Sequence, residues 1–145
     1  MTIDDTLTRL DQKALTYSTI THSIEVSATP EFLGNEVNND KEYYIWSYHI
    51  HIKNLSAKKV QLLNRHWVII DGNGQVQEVK GPGVVGDQPT IAPNEFYEYS
   101  SGTFLITPTG MMMGQYEMAT EDGDLIEVSI PAFSLDSPDA NPLVN

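Results

Sequence analysis

The chain has 145 residues, with 20 acidic against 8 basic side chains and a formal net charge of −12 at pH 7. This length suits one domain with one core, and so negative a charge repels nucleic-acid backbones and anionic membranes. The chain contains no cysteine, which excludes disulfides and thiolate metal sites and fits a reducing compartment. Because no apolar run is long enough to cross a bilayer and the acidic start is unlike a signal peptide, we expect a cytoplasmic protein with no membrane or nucleic-acid partner.

The two ends of the chain are expected to contribute little to the core. Residues 1–15 carry Leu7, Leu10 and Ala14 at helical spacing, which predicts a short helix or a flexible terminus. Residues 137–145 include two prolines and few apolar side chains, so we expect a loose tail. The domain itself is expected from 16 to 136.

Strict alternation of apolar and polar residues predicts long β-strands. In residues 43–54, Trp46, Tyr48 and Ile50 share one face, while His49 and His51 share the other. The same alternation in residues 18–29 predicts a second strand, in which His22 falls in phase with the apolar face as a core or edge histidine.

Six further segments are rich in β-branched or aromatic residues and are bounded by turn residues. Residues 71–74 (DGNG) and 121–124 (EDGD) are predicted hairpin turns, because Asp, Asn and Gly accept positive φ. Seven or eight short strands at this spacing predict an all-β, two-sheet antiparallel sandwich. The six further segments are 58–63, 65–71, 75–79, 95–106, 115–120 and 125–135.

A glycine-rich loop at residues 81–86 reads GPGVVG and matches the pattern G-x-G-x-x-G. A dinucleotide site would need a helix opening at these glycines, but Pro89 and Pro93 follow, so we reject that interpretation. We expect a crossover between sheets whose glycines supply unusual backbone angles. A small anion-binding nest helped by Lys80 remains an alternative. The candidate ligand or partner loop therefore comprises Lys80, Gly81, Pro82, Gly83 and Gly86.

Histidines offer a weak metal hypothesis. His49 and His51 lie two residues apart on one strand face, a spacing that lets both imidazoles reach one divalent ion. The sequence names no third ligand, although His66 on a later strand is a candidate, so we favour solvated histidines and predict neither a metal nor another cofactor. No Gly-x-Ser-x-Gly elbow or His-Glu-x-x-His motif is present, and we assign no catalytic residue and expect no enzyme.

Methionines and aromatic residues indicate an interaction surface. Three consecutive methionines at 111–113 cannot all face one core, so at least one is expected to be exposed or to lie under a loop. Tyr97 and Tyr99 share one strand face and Phe96 the other, which places one aromatic set toward solvent. Exposed aromatic side chains are typical of partner surfaces.

Several motifs in fixed order, from about Ser18 to Asp136, resemble the ApaG family. Asn94 departs from the family, which usually has glycine there, but asparagine also tolerates positive φ. The motifs that carry the resemblance are Arg65-x-Trp67 with Ile69 and Asp71, the glycine loop with Pro89, Tyr99-x-Ser101-Gly102, Thr107-Pro108-x-Gly110-x-Met112-x-Gly114-x-Tyr116-x-Met118, and Ile130-Pro131-x-Phe133-x-Leu135.

The resemblance implies an immunoglobulin-like or fibronectin type III-like sandwich without a settled biochemical activity. It also implies association with cobalt and magnesium homeostasis and with a diadenosine tetraphosphate hydrolase gene, and related domains look like protein-interaction modules. Two hypotheses follow. The favoured one is a non-catalytic module that binds another protein, with a homodimer through sheet faces or edges as one form. The alternative is a small-ligand factor that binds a divalent cation or a phosphate compound.

Overall fold

The structure is a computed structural model that describes residues 15–138 and places them in nine β-strands. The described part contains no helix long and apolar enough to span a membrane. The strands are β1 (Tyr17–Thr21), β2 (Ile24–Asn38), β3 (Lys41–Asn54), β4 (Val60–Asp71), β5 (Val76–Pro82), β6 (Thr90–Ile91), β7 (Phe96–Leu105), β8 (Thr109–Thr120) and β9 (Leu125–Asp136).

The strands form two antiparallel sheets packed face to face. The first sheet has the order β1-β2-β3-β7, and the second has β5-β4-β8-β9 with the two-residue β6 also paired to β4. On one side of the sandwich β9 contacts β1 and β2, and the Ser129 amide donates to the Thr21 hydroxyl. On the other side, β5 and β7 are separate edge strands. The predicted all-β, immunoglobulin-like or fibronectin type III-like antiparallel sandwich is confirmed.

The core lies between the inner faces of the sheets. The even-numbered residues of β3 from Trp46 to Ile52 are buried, as their alternation predicts, while His49 and His51 face outward. The ring of Tyr48 contacts that of Trp67 in the opposite sheet at 5.1 Å between centroids. Large side chains from both sheets therefore interdigitate, which is the packing expected of a sandwich.

The predicted strand over residues 18–29 is wrong at its centre. His22 and Ser23 have φ of 52° and 62° and form a tight turn between β1 and β2. Because the chain reverses there, Ile20 pairs with Glu25 and is 58% exposed, while His22 is exposed in the turn and belongs to no core. The sequence does not predict this turn because the apolar–polar alternation continues through it and none of the strong hairpin-turn residues Gly, Asn or Asp stands there.

Two other predicted strands are continuous in the structure. Residues 58–63 and 65–71 contribute to one strand, β4, which has a bulge between Leu62 and Asn64. With β6 added and the first segment divided, nine strands replace the seven or eight expected. Both predicted hairpin turns are present: residues 71–74 join β4 to β5, and residues 121–124 join β8 to β9.

The ends of the chain are only partly described. The predicted terminal helix, apart from Leu15, and residues 139–145 of the predicted tail lie outside the described residues. Ser137, the first residue of that tail, is buried, and its amide donates to the Pro108 carbonyl.

Buried Asn54 organises the connections at one end of the sandwich. Its side-chain amide donates to the carbonyls of Lys58 and Ile91 at 2.7 and 2.9 Å, and its Oδ1 accepts from the amide and hydroxyl of Ser56. Asn54 has no solvent exposure, so each bond that is lost would leave a polar group without water as a substitute.

We predict that Asn54→Asp lowers the free energy of unfolding by about 2 to 4 kcal/mol, because a carboxylate cannot donate to the two buried carbonyls. Exposed Asn64, which makes one bond to Glu117, supplies the control. Asn64→Asp should cost under about 1 kcal/mol. Denaturant titration of both variants measures the difference, and equal losses would contradict a special role for Asn54.

Candidate functional site

The glycine loop leaves the end of β5 and forms a tight turn bonded to itself. The amide of Val84 donates to the carbonyl of Asp87 and the amide of Asp87 donates to the carbonyl of Val84, both at 2.8 Å. The Gly83 amide donates to the Leu63 carbonyl in β4. As the sequence predicts, no helix begins at these glycines; the chain continues to the short strand β6. Two amides of the loop and that of Asp87, which follows it, are therefore occupied by protein acceptors, which leaves fewer donors for an anion-binding nest.

Three residues of this loop have positive φ. Gly83 and Gly86 lie at 61° and 85°, and a Cβ on Gly83 would lie 2.2 Å from the Asp87 carbonyl oxygen, so glycine is required at 83. Val85, between them, has φ of 43°. For a β-branched residue this conformation is a true outlier, and the Val85 side chain is 57% exposed at the tip of the turn.

Arg65 fixes the start of the loop from the interior. Its Nη1 donates to the carbonyls of Pro82 and Gly83 at 2.9 and 3.0 Å. Arg65 follows the bulge in β4 and pairs with buried Tyr116, so its side chain lies on the inner face of the sheet. The sequence motif Arg65-x-Trp67 thus has a structural role that its pattern did not show: it connects the core to the loop.

A group of buried tyrosines lies near Arg65. The hydroxyls of Tyr99 and Tyr116 are 2.5 Å apart. Burial raises the pKa of both phenols well above the ordinary value of 10.0, although the positive charge of Arg65 acts in the opposite direction. Burial also raises the pKa of Tyr48. These phenols are therefore neutral hydrogen-bonding groups in the folded protein rather than nucleophiles.

A groove of about 620 Å³ lies on the outer face of the second sheet. His66 lies within it, with Nε2 3.0 Å from a Glu78 carboxylate oxygen and Nδ1 3.1 Å from the Gln115 amide. Glu117 and Glu127 pair across β8 and β9 at its other side. Of the candidate loop residues, Lys80, Gly81 and Pro82 line this groove, whereas Gly86 belongs to the turn beyond it and Gly83 directly precedes that turn. Sequence reasoning missed the groove because its walls come from four strands that only register brings together.

The two candidate metal-binding histidines have other partners. His49 Nδ1 is 2.8 Å from the Ser100 hydroxyl, and the His51 ring stacks on Phe96 with centroids 4.7 Å apart. His66, the suggested third ligand, lies on the outer face of the opposite sheet, so the core separates it from them. Within residues 15–138, no group of three or more His, Cys, Asp or Glu side chains is placed to hold a metal ion.

The methionine run lies in β8, where alternation separates its side chains. Met112 is buried in the core, and Met111 is 41% exposed, as expected for three consecutive methionines in one strand. Among the aromatic residues of β7, Tyr99 is buried, whereas Phe96 and Phe104 are each 57% exposed on the outer face of the first sheet. Tyr43 packs edge-on against Phe104 at 5.3 Å.

The fold and the hydrogen-bonded loop define an immunoglobulin-like or fibronectin type III-like β-sandwich whose distinctive feature is a strained turn at one end. Residues 34–120 match the family model of the ApaG domain. The chain belongs to the ApaG family, which confirms the resemblance seen in the sequence motifs. Asn94, where that family usually has glycine, has φ of 66°, as its tolerance of positive φ allows.

Relatives and solved structures agree with this assignment. The chain is 51% identical over 129 residues to Protein ApaG of Paramagnetospirillum magneticum, covering 89% of this chain and 99% of the relative. It is 51% identical to Protein ApaG of Rhodospirillum centenum over 84% of this chain and 94% of the relative. A Bordetella pertussis crystal structure described as ApaA matches with a TM-score of 0.73 at 38% identity, covering 87% of this chain and 96% of that one. A structural-genomics X-ray structure matches with a TM-score of 0.78 at 44% identity, covering 80% and 88%.

We predict that the fold loses stability above about pH 10 because of the buried phenols. Since the folded pKa of Tyr99 and Tyr116 is raised, their contribution is complete below the unfolded value of 10.0 and is lost as pH rises toward the folded value. The loss should approach about 1.4 kcal/mol per pH unit for each phenol. Denaturant titrations between about pH 8 and about pH 11.5 would measure this dependence.

The double variant Tyr99→Phe/Tyr116→Phe is the control, and its stability should fall less steeply with pH. Tyrosinate absorbance provides the second measurement. Full ionisation of all seven tyrosines while the sandwich remains folded would contradict the prediction.

Proposed function

We propose that this protein is a non-catalytic interaction module that uses the Val84–Asp87 turn to bind another protein. The observation that supports the proposal is Val85, an exposed β-branched residue held at positive φ. Such a conformation costs about 1 to 3 kcal/mol, and strain of this kind is concentrated at ligand and partner sites. Asparagine or glycine would relieve it, so this chain carries an apolar side chain at the tip against the local backbone preference.

The turn is organised before any partner arrives. Reciprocal hydrogen bonds close it, Arg65 holds the carbonyls at its start, and the Tyr97 hydroxyl donates to the Asp87 carboxylate at 3.1 Å. A pre-organised loop loses little conformational entropy on binding, so more of the contact energy remains as affinity. Loops at the ends of a sandwich commonly serve this role.

Charge and shape describe the partner. Val85 fits an apolar pocket, and the chain's net charge of −12 favours a basic surface around that pocket, which would accelerate encounter. The lack of cysteines is consistent with the cytoplasm as the setting. The alternative role, as a factor linked to a divalent cation or a phosphate compound, has less support, because the two candidate histidines and the amides of Gly83, Val84 and Asp87 already have protein partners.

We predict that Val85→Asn separates stability from binding. Asparagine adopts positive φ more readily, so the free energy of unfolding should rise by about 0.5 to 1 kcal/mol. Binding of the cellular partner should weaken at least about tenfold, which corresponds to about 1.4 kcal/mol. Thermal unfolding and quantitative capture from native lysate supply the two measurements.

Val76→Asn is the matched control, because Val76 is also exposed but lies on β5 without positive φ. It should leave capture unchanged. Undiminished capture by Val85→Asn would refute the role of the turn, while lower stability of that variant would refute the strain at Val85.

A further inference from the structure

Strand β7 is a long free edge of the first sheet. Within residues 15–138 it pairs only with β3, along ten residues and with no bulge in the pairing. The neighbouring edge strand, β5, is shorter and carries Lys80 and Pro82, devices that protect an edge from pairing. On the outer face of β7, Glu98 is the single charged residue. An unprotected edge of this length is a template for another strand.

The hydrogen-bond parity shows which groups of β7 are available. The main-chain amide of Asn54 donates to the Glu95 carbonyl, so residues 54 and 95 occupy a hydrogen-bonded position of the β3–β7 ladder. Hydrogen-bonded and non-hydrogen-bonded pairs alternate in an antiparallel ladder. Odd-numbered residues of β7 therefore bond to β3, and even-numbered residues from 96 to 104 direct N–H and C=O to the free edge. The Leu55 amide donates to the Ser23 carbonyl in the turn before β2, so odd-numbered residues of β3 bond to β2 and even-numbered ones bond to β7. This agrees with the assignment for β7.

We infer that the partner of this edge is a second copy of the chain, joined by antiparallel β7–β7 pairing about a two-fold axis at Ser100. In this register each Phe96 lies opposite Phe104 of the partner subunit, and each Glu98 lies opposite Gly102 of the partner subunit. The pairs whose main-chain groups face each other are all even-numbered, five pairs with two bonds each, so the free groups meet in about ten hydrogen bonds. The two four-stranded sheets become one continuous sheet of eight strands.

The side chains favour this register over its neighbours. Phe96 and Phe104 are each 57% exposed on the outer face, and their pairing buries both rings beside His51 and Tyr43, which already contact them. A shift of one partner by two residues one way leaves Phe104 opposite Asn94, and the other way places it opposite Glu98. A shift by four in the first direction places Glu98 against Glu98, and like charges directly opposite are destabilising. A shift by four in the other direction places Phe104 opposite Ser100, so neither ring gains an aromatic partner. Strand β7 is thus complementary to itself in one register.

This dimer goes beyond the proposed binding role of the Val84–Asp87 turn and involves different residues. Sedimentation equilibrium of the full chain should show twice the 16.2 kDa chain mass once the protein concentration reaches about 1 mM. A Kd of about 1 mM corresponds to weak association, so this concentration would reveal even a weak dimer. Gly102→Glu should weaken the dimer at least about tenfold, since it places two carboxylates opposite each other. Adding Glu98→Lys should restore it, because the introduced lysine then faces the introduced glutamate across the interface.

Cross-linking tests the register in a chain that has no native cysteine. Ser100→Cys should form a disulfide dimer under mild oxidation, because a hydrogen-bonded pair on the axis has Cα atoms about 5.5 Å apart. Ser47→Cys is the control: it lies on the same face opposite Gly102, but three strand spacings across the sheet (about 14 Å) and four residues along the strands (about 13 Å) separate it from its mate, about 20 Å in all.

A single-chain mass at about 1 mM would overturn the inference, since a continuous strand pairing with two buried aromatic pairs should have a lower Kd than that. So would a dimer that is indifferent to Gly102→Glu, or equal cross-linking of the two cysteine variants. An extended peptide from another protein as the true occupant would appear as this monomer result.

Discussion

Contact between the inner faces of the two sheets is the interaction on which the other features depend. Tyr48 in β3 meets Trp67 in β4 and Phe133 in β9, with ring centroids 5.1 and 6.2 Å apart. Each large aromatic side chain removes about 150 to 250 Å² from water, more than any aliphatic neighbour in the core. Because this packing fixes which face of each strand points inward, it also determines which side chains are left outside for function.

The bulge in β4 links this core to the glycine loop. Before the bulge Leu62 points inward; after it Arg65 and Trp67 do, because one extra residue shifts the phase of alternation. The shift places the Arg65 guanidinium on the inner face of the second sheet, where it donates to the carbonyls of Pro82 and Gly83 at the start of the loop. The strained backbone of Val85 persists because the Arg65 hydrogen bonds and the reciprocal Val84–Asp87 bonds together fix its conformation. A less firmly held loop would relax.

Much of the fold could be predicted from local pattern. The alternation in β3 and the Asp-, Asn- and Gly-containing turns depend on residues close in sequence, and the structure contains both. The turn at His22 and Ser23 could not be predicted, because alternation continues unbroken through a two-residue reversal and neither residue signals it. The role of Arg65 and the groove around His66 were equally hidden. Both arise from register between strands distant in sequence, which a single chain does not display.

The two proposed surfaces, the free edge of β7 and the Val84–Asp87 turn, lie close together on the side of the sandwich where β5 and β7 are edge strands. Tyr97, near the start of β7, donates its hydroxyl to the Asp87 carboxylate in the Val84–Asp87 turn, so a hydrogen bond links the edge strand to the turn. In the inferred dimer, Tyr97 lies opposite Thr103 of the partner subunit, which places the two Tyr97 residues six positions, or about 20 Å, apart along the paired strands. Two Val85 turns would then be displayed on one rigid sheet. A partner with two pockets at matching separation would gain affinity through effective concentration without any new contact. Self-association at β7 and partner binding at the turn would then reinforce each other.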